Sequence, residues 1–131
     1  VSIIVGYIPT AEGTAALDRA ITEAQKSQSR LVIINSSRGD AIVDKRYAQA
    51  EDISSLTERL DREGIEHLVL QPVRGNDAAN EVLEAAEKYR AELIVIGLRR
   101  RTPVGKLIMG SAAQQILLEA SCPVLAVKAS A

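Results

Sequence analysis

Eight residues in one stretch of this sequence have the types and spacing to hold an anion. Gly97 and Gly110 frame twelve intervening positions that include Arg99, Arg100, Arg101, Gly105 and Lys106, and Ser111 follows the second glycine. Guanidinium forks match phosphate oxygens, an ammonium adds a point charge, and a hydroxyl donates. The apolar run Leu93 to Ile96 precedes Gly97, and a helical pattern opens at Gly110-Ser111. A loop that leaves a buried strand and re-enters at a helix N-terminus aims free N–H groups and the positive end of the helix dipole at whatever lies above it. The chemistry predicted for the stretch is phosphate binding. Each residue also has a plainer reading: Arg99 to Arg101 as a solvated loop face, the glycines as turn or packing residues, Ser111 as an ordinary first-turn residue, and Lys106 as a surface cation.

Other reactive side chains form no comparable group. His67 is the one histidine and has no His, Cys or acidic partner at ligand spacing, so it reads as a packed residue and not a metal ligand. Cys122 is the one cysteine, which rules out an intramolecular disulfide and a thiolate cluster; before Pro123 it reads as a small buried hydrophobe. No Ser-His-acid or paired-carboxylate arrangement can be assembled, so the expectation is a binding protein and not an enzyme.

Composition narrows the partners. The 131 residues are the size of one domain, and the expectation is a single domain over 1–131. A net charge of −1 gives no global attraction to nucleic acid or an anionic membrane, so any basic function is local. Tyr7, Tyr47 and Tyr89 are the only aromatic residues, too few for a base-stacking platform. The apolar runs are too short to span a bilayer, and no secretory leader is legible, which predicts a cytoplasmic protein.

The elements that must position the anion loop can be read in order. Ser2 to Gly6, Leu31 to Ile34, His67 to Leu70, Leu93 to Ile96 and Val124 to Val127 read as strands, Ser2 leaving room for a partly exposed start. Helical spacing marks Ala11 to Lys26, capped by Thr10; Tyr47 to Arg62, stopped by Gly64; a third helix capped by Asp77; and Ser111 to Ala120. The irregular stretch from Asn35 to Lys45 is the longest connection. Alternating strands and helices predict right-handed crossovers and a parallel sheet covered on both faces: an α/β, doubly wound, five-stranded sheet with four helices in three layers.

The pattern resembles the universal stress protein family, whose nucleotide-binding members carry Gly, two residues, Gly, nine residues, then Gly followed by Ser or Thr. Gly97, Gly110 and Ser111 match the first, third and fourth fixed positions, and Arg100 stands at the second. The resemblance runs from Ile4 to Lys128 and extends to the ending Cys122-Pro123-Val124-Leu125-Ala126-Val127. It implies the strand order 3-2-1-4-5 and an adenine nucleotide, ATP, held without rapid turnover, with Mg²⁺ left open. The implied site comprises Ile8, Pro9, Thr10, Gly97, Arg99, Arg100, Gly105, Lys106, Gly110 and Ser111, with Ser36 and Val73 to Asn76 beside the adenosine. It also implies a homodimer through Val124, Leu125, Ala126 and Val127.

Three positions depart from the family's pattern. In Val5-Gly6-Tyr7-Ile8-Pro9-Thr10, Ile8 occupies the place of an Asp and Pro9 that of a glycine, which removes a carboxylate acceptor and a backbone donor. Arg100 adds a guanidinium able to grip phosphate in compensation. Two alternatives stay open at this point: a dimeric interaction protein of the same fold without nucleotide, or a binder of another small anion.

Overall fold

Runs rich in Val and Ile alternate with amphipathic helices, and the computed structural model, which describes residues 1–7, 10–35, 50–71, 78–98 and 110–129, arranges them in strict order. They are β1 (Ser2–Gly6), α1 (Ala11–Ser27), β2 (Arg30–Ile34), α2 (Ala50–Arg62), β3 (His67–Leu70), α3 (Ala78–Lys88), β4 (Ala91–Leu98), α4 (Ser111–Glu119) and β5 (Val124–Lys128). All four strand pairs are parallel, in the order β3-β2-β1-β4-β5.

Alternation along the strands divides the apolar side chains between two layers. Ile3, Val5, Leu31, Ile33 and Val95 pack against Leu17, Ala20 and Ile21 of α1 and Leu56 and Leu60 of α2. Ile4, Val32, Ile34, Ile94 and Ile96 face Ala79, Val82, Ala85 and Ala86 of α3 and Ile116 of α4. Each buried aliphatic contributes about 1.5–3 kcal/mol, against about 1 kcal/mol for a helix cap. The layers therefore hold the fold, and the caps trim its ends.

Those ends follow local chemistry. The Gly13 N–H donates to Thr10 Oγ1 at 3.2 Å, so Thr10 is the N-cap of α1. After α2, Gly64 adopts φ +71°, its N–H donates to Asp61 O at 3.1 Å, and the Ile65 N–H reaches Leu60 O at 3.0 Å. This is a Schellman closure, completed by the buried pair Leu60 and Ile65.

Several expectations shift, β2 starting at Arg30 and β5 ending at Lys128, each one residue beyond the run read from the sequence. β4 spans Ala91–Leu98 and not only Leu93 to Ile96, because β1 pairs with its start and Val127 and Lys128 of β5 pair with its end. Ser2 is 1 % exposed, since β2 and β4 flank it on both sides, and Arg30 donates to its hydroxyl at 3.4 Å. The C-terminal boundaries of α1 and α4 move by one residue. The expected start of α2 at Tyr47 and the Asp77 cap lie outside the described residues.

Candidate functional site

The chain builds outward from β1 to β2 and β3, then returns to β4 on the other side of β1 and continues to β5. The direction of winding reverses between β1 and β4, and the crevice beyond their carboxyl ends is where open α/β sheets hold ligands. Two helices begin after these strands, α1 after β1 and α4 after β4.

Their N-termini are finished differently. The first turn of α1 is capped by Thr10 from its own chain. α4 opens at Gly110 (φ −70°, ψ 165°), which makes no side-chain cap bond, and the first turn carries no acid. The first bond of the helix runs from the Gln114 N–H to Gly110 O at 3.1 Å, so the N–H groups of Ser111, Ala112 and Ala113 precede the intrahelical ladder. Among the described residues, a Cβ built on Gly110 meets no heavy atom within 4 Å, and both Gly110 and Ser111 are exposed.

Gly97 has the opposite surroundings. It lies inside β4, opposite Val127 of β5, and a Cβ there would stand 2.2 Å from Glu12 O and 2.7 Å from Glu12 C. The absent side chain is what lets the first turn of α1 press against the end of β4. The structure thus gives Thr10 a capping role and Gly97 a packing role, and leaves Gly110 and Ser111 exposed among the described residues. Ile8, Pro9, Arg99, Arg100, Gly105 and Lys106 lie outside the described residues, as do Ser36 and Val73 to Asn76.

A model of the universal stress protein family matches residues 2–128. The chain belongs to the universal stress protein family. A universal stress protein of Mycolicibacterium smegmatis is 45 % identical over 126 residues, 96 % of each chain. Among solved structures, a universal stress protein of Archaeoglobus fulgidus superposes with a TM-score of 0.72 at 29 % identity, covering 98 % of both chains. Another from that organism, solved in complex with dAMP, gives 0.63 at 23 %, again over 98 % of both chains.

Among the described residues of this universal stress protein, the reactive side chains have structural surroundings. His67 Nδ1 lies 2.9 Å from Ile65 O, which can only accept, so that nitrogen carries the proton; Asp61 Oδ1 is 4.0 Å from Nε2. No group of three or more His, Cys, Asp or Glu among the described residues could hold a metal ion. Cys122 packs beside the α3–α4 layer, and burial pushes its thiol pKa up, which keeps it protonated at neutral pH. No helix among the described residues is long and apolar enough to cross a membrane.

Three polar groups that the sequence did not single out meet just beyond the carboxyl ends of β1, β2 and β3 of this universal stress protein. Asn35, completely buried at the end of β2, donates from Nδ2 to Tyr7 O at 2.8 Å and accepts from Gln71 Nε2 at 3.0 Å. The available signal was a carboxamide directly after each of two apolar runs, at Asn35 and at Gln71. Gln71 also borders a cavity of about 380 Å³ along the outer flank of α3, with Ile34, Leu70, Glu84, Lys88 and Tyr89.

Proposed function

We propose that this universal stress protein is a stress-response module that binds an adenine nucleotide, ATP in the first instance, at the β1/β4 switch point and does not turn it over rapidly. The observation that carries the reading is the start of α4. Among the described residues nothing caps its first-turn donors, the turn carries no acid, and no Cβ stands at Gly110 in front of them. The phosphates would lie there and on the Ser111 hydroxyl, with charge from Arg99, Arg100 and Lys106, freedom at Gly105, and adenosine toward the ends of β1, β2 and β3. The loop through Ile8, Pro9 and Thr10 would close the other side. Support comes from the relative solved with dAMP, which shares this fold.

Calorimetric titration of nucleotide-stripped protein with ATP, ADP, AMP and cyclic AMP, with and without Mg²⁺, tests the reading. The expected result is saturable ATP binding at about 100 μM or tighter, about −5.5 kcal/mol or better. Silence with all four ligands on folded protein would overturn it.

One observation favours a second reading, an interaction protein of the same fold acting through its dimer or partners. Leu118 of α4 is 85 % exposed and Leu117 41 %, next in sequence to an edge strand whose apolar residues Val124, Leu125, Ala126 and Val127 are only half-buried. Exposed apolar edges of this kind are usually covered. A homodimer that pairs β5 across a two-fold axis would cover this one, and nucleotide binding is compatible with it. Sedimentation at micromolar concentration is expected to show a dimer; a monomer there removes the claim.

A further inference from the structure

We propose that Asn35 is a positioning residue for the half of the crevice beyond β1, β2 and β3, setting nucleotide affinity without touching the nucleotide. The inference rests on the adenine-nucleotide reading above and assigns that reading's adenosine half to one buried carboxamide.

The sheet ladder continues one residue past the regular strands. The Tyr7 N–H donates to Ile34 O and the Asn35 N–H to Leu70 O, both at 2.9 Å. Asn35 then adds two links in the same row with its side chain, from Nδ2 to Tyr7 O and from Gln71 Nε2 to Oδ1. Tyr7, Asn35 and Gln71 each directly follow the last residue of their strand, β1, β2 and β3 respectively. A single carboxamide therefore joins three exits from the sheet, from segments 28 and 36 residues apart in sequence.

The choice of residue is informative because burial of an amide is costly unless its donors and acceptor are met. Ile33 and Ile34, immediately before, show what the core alone asks for at this end of β2. A branched aliphatic at position 35 would fill space and tie nothing. A satisfied polar network instead holds one arrangement of its members. On the adenine-nucleotide reading the adenosine lies at the ends of β1, β2 and β3, and a fixed arrangement of Tyr7, Asn35 and Gln71 there sets how well it is held. The other half, at the start of α4, lies beyond β4 and makes none of these bonds.

The division of the crevice supplies the test. Affinities of ATP and of inorganic tripolyphosphate are measured by calorimetry for the wild type, Asn35→Ala and Gln71→Ala, at a temperature where circular dichroism shows each protein folded. Asn35→Ala is expected to weaken ATP roughly tenfold, a ratio of the order of one hydrogen bond, and to leave tripolyphosphate within about twofold of wild type. Gln71→Ala, which spares the Asn35–Tyr7 bond, is expected to weaken ATP about threefold. Gln71 is only half-buried, so this variant carries the test if Asn35→Ala does not fold.

Variants that melt earlier but bind ATP as wild type does would mark Asn35 as purely structural and overturn the inference alone. Equal loss of ATP and tripolyphosphate would overturn it too, as would a wild type that binds ATP but not tripolyphosphate. A wild type that binds no nucleotide removes the parent reading and this one together.

Discussion

Gly97→Ala is expected to destabilise the protein by about 3 kcal/mol or more and to lower its melting temperature by about 10 °C or more. The new methyl carbon would stand 2.2 Å from the Glu12 carbonyl oxygen, and the obstacle is helix backbone, not the tip of a flexible side chain. Relief requires α1 to lift from β4, yet Leu17, Ala20 and Ile21 of that helix are buried against the sheet. β4 cannot retreat either, held as it is between β1 and β5. Gly6→Ala is the control: its Cβ would meet Val82 Cγ2 at 3.7 Å, an ordinary contact. Urea unfolding followed by circular dichroism measures both. A loss below about 1 kcal/mol for Gly97→Ala would show that α1 slides freely, and the packing role assigned to this glycine would fall.

Gly110→Asp should do the reverse, abolishing ATP binding while leaving stability intact or slightly raised. The backbone at Gly110 has φ −70°, open to any residue, and no described residue comes within 4 Å of a Cβ there. An Asp at this position can cap the first-turn donors and complement the helix dipole, which contributes about 0.3–1 kcal/mol. The same carboxylate would occupy the donors proposed for phosphate and repel its charge. At least a 100-fold loss of ATP affinity is expected, about 2.7 kcal/mol. Melting and calorimetry on one preparation decide the matter. Undiminished ATP binding would remove the start of α4 from the site.

These opposite outcomes show which parts of the site can be read from a sequence. The two glycines look alike in the string, each at a boundary of an apolar or helical pattern. Their difference lies in what occupies the Cβ position, and for Gly97 that is a carbonyl 85 residues earlier in the chain. The five strands and four helices were legible because alternation and helical spacing are local, and so was the Thr10 cap, three residues from the N–H it accepts. The extent of β4 was not, since its outer residues are strand only by virtue of their neighbours in β1 and β5. The carboxamide tie was hidden for the same reason: Asn35 looks like the first residue of a polar turn until β2 is placed between β1 and β3. The anion loop was legible only in type and spacing, and of its residues the structure describes Gly97, Gly110 and Ser111.

The tight fit at Gly97 also bears on how the outer rim of the sheet is held. Val127 lies in register beside it in β5, and the backbone of Glu12 presses on it from α1. At Gly97 no side chain separates the start of that helix from β4, and β4 pairs directly with the rim strand β5. Crevice and rim therefore meet at one close contact, and a shift of the first turn of α1 toward the sheet is expected to move β4 and, through their shared backbone ladder, β5.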